Sequence, residues 1–123
     1  MLRRLVLRGP LDDAPFLGPV VILTDHGTGS TSEFFAAGLQ DTGRAVTVGE
    51  TSAGAVLPSI FEKLPTGAIF QYAIADYRSP KDVLVEGRGV PADVVVQQTR
   101  ESLLAGHDAQ LDAAIKYVST ASR

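Results

Sequence analysis

The sequence contains no cysteine, no long apolar run and little concentrated positive charge. Without cysteine it has no disulfide framework, no thiolate nucleophile and no Cys-ligated zinc. The compartment is left open, because many exported proteins also lack cysteine. The net charge is −3, and the one basic cluster is Arg3, Arg4 and Arg8, which argues against nucleic acid as the main partner. No apolar stretch approaches the roughly 18 residues that a membrane-spanning helix requires.

What remains is a chain suited to one small folded domain. Its 123 residues predict a single domain over 1–123, and a hydrophobic content of 45% is enough for a core. Residues 1–9 alternate Leu and Val with Arg, which is typical of a strand and lacks the apolar centre of a signal peptide.

The first half of the chain predicts a strand, a helix and a second strand. Residues 20–24 and 45–49 are apolar runs bounded by polar or glycine residues, which indicates buried strands. Between them a helix is expected from Thr31 to Asp41, with Gly43 as its C-terminal glycine. A unit this short favours a parallel strand pair with a right-handed crossover.

The second half predicts a hairpin, two short strands and a final helix. Residues 60–64 and 68–76 flank Pro-Thr-Gly, and both faces of the second strand are apolar, so it is expected to be central or covered. Short strands follow at 83–85 and 94–96. A helix from Asp108 to Thr120 is expected to pack through the stripe Leu111, Ala114, Ile115 and Val118. The fold class is therefore α/β, with a mixed sheet and flanking helices.

Residues 20–40 organise this chain, because they place Ser30 where a glycine turn meets a helix. A hydroxyl at this position can cap the helix, and Ser30 with Glu33 has the Ser-x-x-Glu spacing of a capping box. It can equally be a nucleophile that the turn lifts clear of the sheet, beside free helix N–H groups. The local sequence leaves both alternatives open.

Seven segments together resemble the tail-specific, or C-terminal processing, serine peptidases. The nucleophile motif of that family ends in Glu three residues after the serine, as Gly-Ser-Thr-Ser-Glu does here. The resemblance spans Gly18 to the C-terminus, and its segments occur in the order of the family: 18–25, 29–33, 39–45, 48–51, 64–67, 86–93 and 108–114.

This resemblance implies a crotonase-like (ClpP/crotonase) fold and a polypeptide substrate. It implies that Ser30 is the nucleophile and that the Thr31 amide is one oxyanion donor, with a second from a glycine in an upstream loop. No cofactor or metal is expected, since two histidines without nearby acidic ligand spacing make zinc unfavourable.

The sequence departs from the common pattern of this family at the position of the general base. Members with a Ser–Lys dyad carry lysine where this chain has Ala55, and Lys63, Lys81 and Lys116 match other positions. The run around Ala55 is closer to the tricorn-type and retinoid-binding-protein-type branches. In the tricorn branch a histidine is the base and a glutamate supports the site. The resemblance places that glutamate at Glu86. The alternative is that Glu86 is a loop carboxylate that pairs with Arg88 or Arg78.

The branch histidine, the glycine-rich oxyanion stretch and a PDZ-like domain are all expected upstream of this chain. His26 is a weak substitute, since residues four apart seldom face each other across a tight turn, and His107 is expected beside a helix cap. The leading hypothesis is thus the C-terminal part of a serine peptidase core, poorly active alone. Two alternatives remain: a non-catalytic binding module for apolar ligands or peptides, and an assembly fragment that pairs with itself or with the missing N-terminal half.

Overall fold

A computed structural model describes residues 14–121. Within this range the chain forms five strands and three helices: β1 Val21–Thr24, α1 Thr31–Asp41, β2 Val46–Gly49, β3 Ser59–Lys63, β4 Ile69–Ala73, β5 Val94–Val95, α2 Arg100–Leu104 and α3 Ala109–Ala121. The strand predicted within residues 1–9 lies outside the described residues.

The strands form two separate sheets. One contains three parallel strands in the order β1-β2-β5, with Val21 opposite Val46 and Val48 opposite Val94. The other is the antiparallel β3–β4 hairpin. The parallel pairing of β1 and β2 is confirmed, as are the hairpin and the α/β class with flanking helices. The single mixed sheet is corrected, because β3 and β4 pair only with each other among the described strands.

The core lies between α1 and the loops that follow β2 and β4. Ala36 and Ala37 on α1 are buried, and three valines from the loops pack around them: Val56, Val85 and Val90. The ring of Tyr77 stacks on Phe34 with centroids 4.0 Å apart, which closes one side of this cluster. The small alanines allow close approach of the loops to the helix, so loop 52–56 is drawn against the N-terminal turns of α1.

Two helix ends follow their sequence signals. α1 ends at Asp41, and Gly43 follows with φ 70°, while its amide donates to the Gln40 carbonyl oxygen at 2.9 Å. Asp108 caps α3 through a 2.9 Å bond from the Leu111 amide to its carboxylate. The boundaries of both helices are set by these local bonds, which is why the sequence predicts them well.

Other predictions for the second half are wrong in detail. The expected strand at 83–85 is a single bridge between Arg78 and Leu84, and the helix α2 was not expected. On α3, Leu111 and Ile115 are exposed, whereas Gln110 is buried and donates to the Val96 carbonyl oxygen at 3.0 Å. The polar residue takes the inward position because it satisfies the carbonyl just beyond β5.

The β3–β4 hairpin is exposed on both faces. Phe61 is 70% exposed on one face and Phe70 is 50% exposed on the other, and no other described helix or strand packs extensively against the two strands. The expectation that this strand is central or covered is therefore wrong for the described residues. From residue 14 to residue 121, no helix combines the length and the apolar character needed to cross a bilayer.

Candidate functional site

The turn between β1 and α1 is held together by its own side chains. The Asp25 carboxylate accepts bonds from the Gly27 amide and the Thr28 hydroxyl, both at 3.0 Å. The Thr28 hydroxyl bond, with the two turn amides, lowers the pKa of Asp25 below its ordinary value against a smaller opposing effect of burial. The Ala53 amide then donates to the Thr28 carbonyl oxygen at 2.8 Å, which joins the turn to the loop after β2.

Ser30 has a strained backbone at the amino end of α1. Its φ is 58° and its ψ is −129°, a combination that glycine adopts easily and other residues rarely. A conformation of this kind costs about 1–3 kcal/mol and persists only where the surroundings impose it. Here the Ser30 amide donates both to the Ala55 carbonyl oxygen at 2.9 Å and to the Glu33 carboxylate at 3.1 Å.

The Ser30 hydroxyl is not used as a helix cap. Ser30 and Glu33 form a capping-box pair, in which the Glu33 carboxylate accepts the Ser30 amide at 3.1 Å. The Ser30 hydroxyl itself makes no capping hydrogen bond, and the Glu33 amide donates to the Ser30 carbonyl oxygen at 2.9 Å. The hydroxyl lies on an exposed residue.

Two amides at the start of α1 are also free. Across residues 14–121, the N–H groups of Thr31 and Ser32 have no hydrogen-bond acceptor. Unpaired N–H groups at a helix N-terminus carry partial positive charge, which favours a nearby developing negative charge. Thr31, predicted as the oxyanion donor, thus lies next to Ser30 with its amide unoccupied.

Glu33 is the most deeply buried charged residue of this region, with no exposed surface. One carboxylate oxygen accepts the Ser52 hydroxyl at 2.5 Å and the Gly54 amide at 2.7 Å. The other accepts the amides of Ser30 at 3.1 Å and Ala55 at 2.9 Å. Four donors converging on one carboxylate satisfy its burial, and they come from both the Ser30 turn and loop 52–56.

Loop 52–56 is in turn packed tightly against the segment that contains Glu86. Gly54 has φ 70°, and a Cβ on it would lie 2.7 Å from the Gly89 amide nitrogen. The Gly87 amide donates to the Gly54 carbonyl oxygen at 2.8 Å, and the Val90 amide donates to the Ser52 hydroxyl at 2.7 Å. Glycine at position 54 is thus needed for the two backbones to meet.

Glu86 reaches the same loop but does not contact Ser30. Its carboxylate accepts the Val56 amide at 2.7 Å. The Ala55 carbonyl, which accepts the Ser30 amide, belongs to the same peptide group as that Val56 amide. Because the C=O and N–H of a trans peptide point in opposite directions, Ser30 and Glu86 lie on opposite sides of it. Glu86 pairs with neither Arg88 nor Arg78 in a salt bridge; the Arg78 partner is Asp82.

No side chain of the described residues forms a hydrogen bond with the Ser30 hydroxyl. His26 is 89% exposed and lies 3.6 Å from the Glu50 carboxylate. Ala55 adjoins the Ser30 turn through its backbone, yet its methyl group carries no basic atom. His107 belongs to the loop before α3, where its carbonyl oxygen accepts a bond from the Gln98 side chain. Residues 14–121 also contain no cluster of acidic and histidine side chains that could hold a metal ion.

Sequence reasoning missed Glu33 and Ser52 as parts of this site. Glu33 was assigned to a local cap, and its capping-box position does supply one of its four bonds. The other three join residues 19 to 22 positions apart in the chain, and only the fold brings them together. A glutamate directly preceding the apolar Phe-Phe-Ala-Ala run was the one available signal that its carboxylate is buried.

An α/β fold with a serine on a strained strand-to-helix turn is typical of several hydrolase classes, and comparison with known proteins identifies the family. Residues 7–96 match the model of peptidase family S41, and the chain belongs to that family. It is 41% identical over 90 residues to a carboxyl-terminal-processing protease of Picosynechococcus sp., covering 72% of this chain and 20% of the relative. The resemblance to tail-specific peptidases is confirmed.

Two solved structures have similar folds. The photosystem II D1 C-terminal processing protease superposes with a TM-score of 0.57 at 33% identity, covering 64% of this chain and 20% of that one. The tricorn protease superposes with a TM-score of 0.69 at 20% identity, covering 100% of this chain and 13% of that one. The second match concerns the fold alone. The chain spans about a fifth of the length of the curated relatives that it matches.

Proposed function

We propose that this chain is the C-terminal part of the catalytic core of a tail-specific serine peptidase, in which Ser30 attacks the peptide bond. Membership of peptidase family S41 supports the peptidase class. The names of the curated relatives support polypeptide substrates processed at their C-termini. In this proposal residues 1–123 form one domain of crotonase-like type.

The observation that carries this proposal is the conformation of Ser30. The strained φ of 58° is imposed by bonds from the Ser30 amide to two acceptors, while the hydroxyl has no capping role. Strain that a surrounding network maintains, at an exposed hydroxyl, is the pattern expected of a nucleophile and not of a cap.

The chemistry would proceed by acyl transfer. Ser30 Oγ would form a bond to the peptide carbonyl carbon while a base takes its proton, and the Thr31 amide would stabilise the oxyanion. Collapse would expel the amine, which recovers the proton. The base is absent from the described residues, so it would come from an upstream part of the core, as in the tricorn-type branch. Glu86 would support that base from its side of the peptide group between Ala55 and Val56.

This proposal is tested by reacting the purified chain with a fluorophosphonate probe and locating the adduct by peptide mass spectrometry. Because no base is available beside Ser30, we expect little adduct in the native chain. In Ala55→Lys, which places an amine beside the turn, we expect an adduct at Ser30. This adduct should be lost when Ser30→Ala is added and unchanged when Ser32→Ala is added, a matched control at an exposed residue in the first turn of α1. Preferential modification of Ser32, or no Ser30 adduct in Ala55→Lys, would contradict a nucleophilic role for Ser30.

Peptide hydrolysis by the isolated chain is a separate test. Since no base is placed near Ser30, we expect hydrolysis of unstructured peptides at or near the background rate. Robust hydrolysis that disappears in Ser30→Ala would show that the chain is complete without an upstream part.

The exposed hairpin favours a second candidate, an assembly fragment. Its apolar side chains are solvated on both faces, which promotes association with a second copy or with an upstream half of the core. A monomer at high concentration would count against self-association. A binding module for apolar ligands is distinguished by saturable binding of apolar probes that Ser30→Ala leaves unchanged.

A further inference from the structure

We propose that Glu33 is a positioning residue whose buried carboxylate locks the Ser30 turn onto loop 52–56 and thereby holds Ser30 in its strained conformation. This inference rests on the proposed nucleophilic role of Ser30, but the lock itself can be observed independently of catalysis.

The lock depends on which groups share the carboxylate. One Glu33 oxygen accepts hydrogen bonds from both the Ser30 amide and the Ala55 amide. The Ser30 amide also donates to the Ala55 carbonyl oxygen. The Ser30 amide is therefore fixed by two acceptors, one of them on a residue that Glu33 itself anchors. If the carboxylate were lost, both acceptors of the Ser30 amide would be weakened together. The other backbone bonds of Ser30, from the amides of Glu33 and Phe34, reach its carbonyl oxygen and leave the amide side free to turn.

The second oxygen of Glu33 extends the lock to the segment that carries Glu86. It accepts the Ser52 hydroxyl, and the Ser52 oxygen in turn accepts the Val90 amide. The Gly54 amide bonds to the same Glu33 oxygen, and the Gly54 carbonyl accepts Gly87 next to Glu86. Glu33 thus couples the position of Ser30 to that of the 86–90 segment, although it faces neither solvent nor any space open to a substrate.

A glutamine is nearly the same size as glutamate but cannot satisfy this site. All four groups that face the carboxylate donate to it, and a side-chain amide brings an NH₂ group that accepts no bonds. Of the four, only the Ser52 hydroxyl could turn to accept from that NH₂ group. Glu33→Gln therefore leaves either the Ser30 and Ala55 amides or the Gly54 amide without its acceptor on residue 33, while the packing volume is kept.

The experiment is amide hydrogen exchange by NMR on the full chain, comparing native protein, Glu33→Gln and the matched control Glu101→Gln, an exposed glutamate on α2. In Glu33→Gln we expect exchange to rise about tenfold or more, above any rise at Val48 in β2, at the amides that lose their acceptor. These are Ser30 and Ala55 in one orientation of the glutamine and Gly54 in the other. Glu101→Gln is expected to leave all four amides unchanged. Ser52→Ala serves as a milder variant that keeps the Glu33 carboxylate, should Glu33→Gln fail to fold; it is expected to speed exchange at Val90 while Ser30 stays protected.

The positioning role has its own readout. The amide-to-α-proton coupling of Ser30 reports φ, and we expect it to move away from its native value in Glu33→Gln. Native protection at Ser30, Gly54 and Ala55 together with native coupling at Ser30 would overturn the proposal, as would a rise in exchange that is equal at Val48. If the native chain shows these bonds but Ala55→Lys gives no fluorophosphonate adduct at Ser30, the proposed function fails while the positioning role stands. If Glu33→Gln, added to Ala55→Lys, alters the coupling but leaves adduct formation unchanged, Glu33 is only structural.

Discussion

The Ser30 region and the β3–β4 hairpin lie next to each other in the chain and have opposite relations to solvent. In the first, a charged carboxylate is completely buried and fully bonded. In the second, phenylalanine and isoleucine side chains are exposed on both faces. Burial is thus decided by which partners surround a side chain, and a residue's own polarity does not determine it. In the Ser30 region four donors share the Glu33 carboxylate as their acceptor, whereas no comparable set of bonds among the described residues surrounds the apolar side chains of the hairpin.

Glu33→Ala gives the largest expected difference between the two regions. It leaves four buried donors without their acceptor, at a cost of about 3 kcal/mol or more in the free energy of unfolding. Glu62→Ala on the exposed hairpin loses a 3.2 Å bond from the Tyr72 hydroxyl and should change stability by less than about 0.5 kcal/mol. Urea denaturation of both variants measures the difference. Similar midpoints for the two would contradict the assignment of Glu33 as the centre of the bond network.

A pair of glycines gives the next largest effect. Gly54→Ala combines a φ of 70° with a Cβ 2.7 Å from the Gly89 amide nitrogen, which predicts a loss of about 2–4 kcal/mol. Gly67→Ala, in the hairpin turn, has φ 87° but no atom within 4 Å of the new Cβ, so only backbone strain of about 1 kcal/mol is expected. Thermal unfolding of the two variants compares them directly. An equal loss would mean that the close approach of loop 52–56 to residues 87–89 is not needed.

Two substitutions of Ser30, to glycine and to alanine, test whether its backbone is strained. Glycine adopts a φ of 58° without strain, whereas alanine does not, so Ser30→Gly should be more stable than Ser30→Ala by about 1 kcal/mol. Ser30→Gly is also expected to match or exceed the native chain in stability, because the hydroxyl contributes no cap. Denaturant titration gives both comparisons. A helix-capping role would be shown instead by a clear loss of stability in Ser30→Gly.

Phe61→Thr is expected to have the smallest effect on the folded chain. Phe61 is 70% exposed, so the free energy of unfolding should change by less than about 0.5 kcal/mol. Its effect should fall on association, since a large apolar group is removed from the hairpin surface. Sedimentation velocity over a range of concentrations compares it with the native chain, with Leu104→Thr, at an exposed leucine of α2, as the control. Equal association in all three chains would show that the hairpin is not the contact surface.

Local signals in the sequence determined much of this structure. The strand–turn–helix–strand order around Ser30, the end of α1 before Gly43, the cap at Asp108 and the hairpin about Pro-Thr-Gly all follow from bonds between residues close in the chain. The order of the motifs also indicated the family, and residues 7–96 match peptidase family S41.

Only the tertiary structure decided how the site is held together. Three of the four bonds to Glu33 come from loop 52–56, and the bond from Val56 to Glu86 spans thirty positions. Such pairings leave no periodic trace in a sequence, because a glutamate that receives three distant donors has the same local signature as one that only caps a helix. The sequence also could not predict that the hairpin is exposed. An apolar strand pattern is typical of a strand that is buried, but it does not show whether another part of the chain packs on it.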